Sequence, residues 1–146
     1  MSDYKPVYHQ SLEEAVRNDE RELWWESFYL NQDCAKDIGS AISAAYDYKS
    51  YCLNDCSEPI LQKYGFDRVN YVLASTIQNQ SYDGRYSWEN KAWAREMDLP
   101  KEEGFSQFHI DAHPGLINIF TDLVRQAQNE SFIQCEDSEV ITMGGI

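Results

Sequence analysis

The chain is poor in the residues that interrupt regular structure. Seven glycines and four prolines among 146 residues argue against a loop-rich or low-complexity protein. No apolar run approaches the roughly 18 residues expected of a membrane-spanning helix. The opening Met1-Ser2-Asp3-Tyr4-Lys5-Pro6 lacks the basic-then-apolar layout of a secretory signal. The expectation is therefore a cytoplasmic protein without a membrane partner. In that compartment Cys34, Cys52, Cys56 and Cys135 are expected as reduced thiols rather than disulfides. Cys52 and Cys56 sit four apart, a loosely zinc-like spacing, but core or loop thiols are the preferred reading.

Catalytic signatures are missing as well. There is no Ser-His-Asp or Cys-His arrangement with supporting context, no phosphate-cradling glycine loop and no metalloprotease helix motif. Acidic pairs such as Glu13-Glu14 and Glu102-Glu103 follow from composition in a chain with 25 acids and imply no acid-base catalysis. The reading is a non-enzyme without a cofactor or metal.

Basic residues are scarce. Twelve Lys and Arg against 25 Asp and Glu give a formal charge of −13. The excess sits at the ends: residues 1–33 carry −5 and residues 101–146 carry −6, against −2 for residues 34–100. Such a field repels phosphates and attracts basic surfaces, so a basic protein is the expected partner and direct nucleic-acid binding is not. Solubility alone also accounts for the charge.

What is present is ample apolar and aromatic material, 42% and 14% of the chain, enough for one core at this length. Ser11-Leu12-Glu13-Glu14 fits a capping box opening a short helix that ends near Asn18. Asp19 is the expected cap of a longer helix running towards Tyr46. Along it Trp24, Phe28, Asn31, Ala35, Ile38, Ile42 and Ala45 recur in steps of four and three, a core-facing stripe. Gly39 on that helix marks a bend or a close helix crossing. Residues 47–58 read as irregular. Pro59 suits a first turn, Gly65 a left-handed C-terminal position, and Asp67 the cap of a following helix bearing Val69, Val72, Leu73, Thr76 and Ile77. Ser87 caps a helix with Trp88, Ala92, Trp93 and Met97. Pro114 opens a final amphipathic helix that includes Leu116, Ile117, Phe120 and Val124. The fold class is all-α, five to six helices in one domain over residues 1–128, with a minor short β pairing allowed for and a short extended segment expected at Phe105 to Ile110. Residues 129–146 read as an acidic C-terminal tail.

His109-Ile110-Asp111-Ala112-His113 is the most site-like cluster. In an extended strand its alternate residues share a face and could converge on a metal. The competing reading, which is preferred, makes His113 a cap before Pro114 and places Asp111 near a positive helix end. Trp24 and Trp25 cannot both face inward, so one of them is a candidate for a partner surface.

Five segments occur in a characteristic order: Leu12-Glu13-Glu14-Ala15; Gly65-Phe66-Asp67-Arg68-Val69-Asn70-Tyr71-Val72-Leu73-Ala74; Asp83-Gly84-Arg85-Tyr86-Ser87; Asn90-Lys91-Ala92-Trp93-Ala94; and His113-Pro114-Gly115-Leu116. Together, over roughly residues 6–128, they resemble an uncharacterised domain-of-unknown-function family of Firmicutes conjugative elements and phages, found near antirestriction proteins. The resemblance implies a setting, a mobile element in a bacterial host cell, and no mechanism. In that setting the acidity suggests an anti-defence inhibitor that binds a host nuclease, such as a CRISPR effector, and blocks its nucleic-acid groove. The expected contact residues are Glu20, Glu22, Glu26, Trp25, Glu102 and Glu103, with carboxylates standing in for phosphates. The alternative is an accessory or regulatory interaction module for transfer or replication of the element. A metal protein or enzyme built on His109, Asp111 and His113 is the third reading.

Overall fold

The computed structural model describes residues 6–97, 99 and 108–144. Among them, in chain order, are α1 (Leu12–Arg17), α2 (Arg21–Ala45), β1 (Tyr46–Asp47), β2 (Cys52–Leu53), α3 (Ser57–Asn79), α4 (Trp88–Glu96) and α5 (Pro114–Gly144). The protein is all-α apart from one antiparallel pairing, in which Tyr46 faces Leu53 and Asp47 faces Cys52.

Local chemistry sets several of the helix ends. The Ser11 hydroxyl accepts the Glu14 amide at 3.1 Å, and the Ser87 hydroxyl accepts the Asn90 amide at 3.1 Å, each occupying one of the amides a helix start leaves unpaired. Asp19 does not cap α2. Its φ is +59°, and it sits in a Schellman turn closing α1, where the Asp19 amide donates to Val16 O (3.2 Å) and the Glu20 amide to Ala15 O (2.7 Å). The αL conformation draws Asp19 back into α1, and α2 starts from Glu20 without a side-chain cap.

Gly65 breaks the helix with a positive φ where the sequence placed a helix end, but not in the αL conformation. Its φ of 84° and ψ of 157° lie far from the αL values of a helix terminator, in a region open almost only to glycine. The break divides α3 into two helical stretches, in line with the expectation from sequence, and the Asp67 carboxylate near the start of the second lies 3.2 Å from His9 Nε2. The β pairing falls at 46–53. Of the segment Phe105 to Ile110, residues 105–107 lie outside the described residues and 108–110 form no strand.

The second half of α3 is the centre of the molecule. Every residue from Arg68 to Ile77 is buried, so this is a helix covered on all sides rather than on one stripe. It packs against α2, α4 and α5. The Thr76 hydroxyl lies within hydrogen-bonding distance of Val72 O (2.9 Å) and Phe108 O (3.1 Å), and the Asn70 amide nitrogen donates to Gln128 (3.0 Å), while Asn70 Oδ1 is buried without a partner among the described residues. The buried Arg68 guanidinium donates to Ser27 O (3.0 Å), Pro6 O (3.1 Å) and Asn31 Oδ1, tying the N-terminal segment to α2 and α3. Asn31 thus belongs to the α2 stripe as an acceptor, while Ile38 and Ile42 bury its apolar part.

Ile117, Phe120 and Val124 of α5 are fully buried against this centre. The helix continues to Gly144, well past Gln128, where its apolar spacing fades. Adding residues to an established helix costs little, because each new residue gains a backbone hydrogen bond.

Candidate functional surfaces

Burial of the stripe Trp24, Asn31, Ala35, Ile38 and Ile42 turns the opposite face of α2 to solvent. Glu22, Glu26, Tyr29 and Asp33 are exposed there, at spacings of four, three and four that align them along the helix. Trp25 is half-buried beside them. Its ring stacks on Tyr29, with centroids 5.8 Å apart and planes at 29°, and stands edge-on to Trp24 at 4.9 Å. Trp24 is the inward member of the pair, stacked on Phe28 at 5.2 Å, and Phe28 in turn meets Phe108. The N-terminal half of α2 therefore has an inner aromatic row that holds the fold and an outer row flanked by carboxylates.

The expected contact residues divide accordingly. Glu22, Glu26 and Trp25 lie on this outer face. Glu20 is half-buried and accepts the Tyr8 hydroxyl at 2.9 Å, which commits it to the N-terminal segment. Glu102 and Glu103 lie outside the described residues. Tyr29 and Asp33 belong to the same face and were missed from sequence, although continuing the spacing from Glu22 and Glu26 points to both.

Further along α2, Asp37 serves the fold. Its carboxylate accepts from Lys63 Nζ (2.9 Å) and the Tyr64 hydroxyl (2.5 Å), joining α2 to α3. These bonds, the Tyr64 hydroxyl first, hold its carboxyl below the usual range against the opposing effect of partial burial.

Three of the five segments that carry the resemblance, those at 83–87, 90–94 and 113–116, contribute to a clasp between α4 and α5. Asp83 accepts from Arg85 Nη2 (2.7 Å) and Nε (3.0 Å), which lowers its carboxyl pKa to about 2. Asn90 is fully buried. Its amide nitrogen donates to Asn118 Oδ1 (2.8 Å) and Asp122 Oδ1 (2.9 Å), and its carbonyl accepts from Arg125 (2.8 Å), whose guanidinium lies over the Trp93 ring at 5.7 Å. At the start of α5, His113 Nδ1 accepts the Gly115 amide at 3.0 Å, the geometry of a cap, and its Nε2 lies 3.2 Å from Arg85 Nη1. An imidazole has at most one acceptor nitrogen, so only one of these two contacts is a hydrogen bond at a time. Among the described residues, no group of three or more His, Cys, Asp or Glu side chains is placed to hold a metal ion. His109 and Asp111 point to solvent as exposed side chains.

Among the described residues no helix is long and apolar enough to cross a membrane. A family described as a protein of unknown function (DUF3849) matches residues 7–129. No curated protein and no solved structure matches the chain.

Proposed function

We propose that this chain, which belongs to the DUF3849 family of proteins of unknown function, is a non-enzymatic binding protein that docks a basic partner on the outer face of α2. The observation that carries the reading is the alignment of Glu22, Glu26 and Asp33 around the stacked Trp25 and Tyr29. Single exposed ion pairs contribute only about 0–1 kcal/mol each, so affinity needs several charges at once together with aromatic anchors. This face supplies both. Arg and Lys side chains that normally grip a phosphate backbone would find carboxylates at helical spacing instead, with rings to pack against. The net charge of −13 adds long-range attraction to such a surface.

The partner class we favour is a nucleic-acid-binding protein, and within the mobile-element setting a host nuclease such as a CRISPR effector, which the chain would inhibit by occupying the groove. The experiment is capture of partners from a bacterial host lysate on the immobilised protein, with identification by mass spectrometry. A basic nucleic-acid-binding protein should be retained at 0.1 M salt. It should be released by 1 M, as the screening length falls from about 10 Å to about 3 Å. Joint reversal of Glu22, Glu26 and Asp33 to Lys should abolish capture without unfolding, and nucleic acid already on the partner should exclude the protein. A complex that is indifferent to salt, or forms equally well on the loaded partner, eliminates groove occupation.

A second reading, an accessory module for transfer or replication of the element, draws on a different feature. Leu23 is 52% exposed on α2, an apolar contact suited to a partner that is not itself basic.

A further inference from the structure

We propose that the cavity between the β-hairpin and the start of α5 is a slot for an arginine side chain of a basic partner protein, with the guanidinium stacked on Tyr48 and Tyr51 and paired with Asp111. The inference rests on the reading of the chain as a binder of basic proteins. It adds a second contact, away from the acidic face of α2, and gives that contact a specific chemistry.

The cavity has a volume of about 550 Å³, and its lining includes Tyr46, Tyr48, Tyr51, Asp111, Leu116 and Ile119. That size lies within the range of pockets that hold small ligands, and the mixture of aromatic wall and few polar groups is typical of them. Tyr48 and Tyr51 are 73% and 79% exposed, and Ile119 is 40% exposed, so rings and apolar surface face water around a concave site. Tyr46 meets Tyr48 edge-to-face at 4.7 Å with planes at 89°, which fixes one wall while most of the Tyr48 ring stays uncovered.

The hairpin presents these rings from a rigid turn. Asp47 accepts the Lys49 amide (2.9 Å) and the Ser50 hydroxyl (2.8 Å) through its carboxylate, and the Tyr51 amide (2.8 Å) through its carbonyl. At the end of that turn Tyr51 has a φ of +58°, a left-handed conformation that glycine or asparagine adopts at lower cost. An exposed aromatic ring thus occupies a position where local folding favours a smaller residue, and no core packing of Tyr51 offsets the strain. Conflicts of this kind mark sites used for contact.

Charge decides which side chain fits. Asp111 is exposed on the cavity rim and has no hydrogen bond or ion pair among the described residues. The positive groups nearby are engaged elsewhere: the Arg85 guanidinium is held by both oxygens of Asp83, and the Gly115 amide at the start of α5 meets His113 Nδ1. Lys49 lies on the exposed hairpin and is not part of the lining. With −13 on the chain, a second copy is repelled and a cation is drawn in. Among cationic side chains, the planar guanidinium can lie flat on a tyrosine and still offer two parallel donors to a carboxylate, which an ammonium cannot.

The test uses the full chain and free N-acetyl-arginine amide, followed by amide and side-chain chemical shifts in NMR. Saturable shifts should cluster on the hairpin and on residues 111–119. The isosteric, uncharged N-acetyl-citrulline amide should bind about tenfold more weakly, and N-acetyl-lysine amide, with the same charge and no planar group, should also bind more weakly. Tyr51→Gly removes the ring and relieves the positive φ, so the fold is retained while the arginine affinity falls; Asp111→Asn, at an exposed position, should do the same. Equal binding of citrulline or lysine, unchanged affinity in both variants, or shifts confined to α2 would overturn the slot. The last of these would leave the α2 reading standing, whereas partner capture that survives the α2 reversals would defeat that reading whatever the arginine titration shows.

Discussion

Gly39, in the middle of α2, lies against the backbone of Asp111: a Cβ added to Gly39 would stand 3.2 Å from the Asp111 carbonyl oxygen and 3.3 Å from its amide nitrogen. The close approach that this glycine allows is to the extended segment before α5, not to another helix. Both contacts are backbone atoms, which cannot swing aside as a side-chain tip would. Gly39→Ala gains about 1 kcal/mol of helix propensity and loses a similar amount to crowding, so little net change is expected. Gly39→Val carries the crowding without the full propensity gain and should cost about 2–3 kcal/mol. Urea denaturation of the two variants measures the difference, and a Val variant as stable as the parent would contradict the close contact.

Phe120 and Ile38 are both fully buried, on α5 and α2. Phe120→Ala should cost about 3–5 kcal/mol, the lost transfer free energy plus the cavity left behind. Phe120→Asp or Ile38→Asp should abolish the fold, since each places an unpaired carboxylate in the core. Loss of the helical far-ultraviolet circular dichroism signal is the readout.

His113 tests whether the cluster before α5 acts as a cap or as a ligand site. Asparagine is a good N-cap, so His113→Asn should keep most of the stability that His113→Ala loses, about 1 kcal/mol. Thermal melts compare the two. One equivalent of bound zinc, iron or manganese in protein purified without chelator, and absent from His109→Ala, would overturn the capping assignment.

The thiols differ in a way that pH should expose. Burial, the largest influence, pushes the Cys34 thiol up to about 12, while Cys52 is exposed. Iodoacetamide at pH 8 should therefore label Cys52 in the native protein and Cys34 only after unfolding, as read by peptide mass mapping. Because the folded pKa of Cys34 is raised, its contribution to stability is complete below the ordinary thiol value near 8.5 and is lost as pH rises from there to about 12. The sign is opposite for Asp83. Its lowered carboxyl favours the fold above the ordinary aspartate value near 3.9, and that contribution is lost as pH falls through about 2. A carboxyl carbon titration showing Asp83 ionising near 4 would mean that the Arg85 clasp is open in solution.

What could be read in the chain without its fold was whatever one turn or one helix face decides by itself. The Ser11 and Ser87 caps depend on a hydroxyl and an amide three residues away. The α2 stripe from Trp24 to Ile42 depends only on helical period, and so does its complement, the exposed Glu22 and Glu26. Asp19 resisted this reading because the same short acidic side chain suits both an N-cap and a left-handed C-terminal turn, and the backbone bonds to Val16 and Ala15 select the second. Tertiary structure decided the rest. The burial of the second half of α3 on every side is a property of the three helices around it, so the polar Arg68, Asn70, Ser75 and Thr76 enter the centre beside Val72 and Leu73. The hairpin was hidden because two-residue strands leave no alternation to detect. Its tyrosines meet Asp111 and Ile119 around one cavity only because α2 and α5 both pack on the central helix, bringing together residues 60 or more positions apart in the chain.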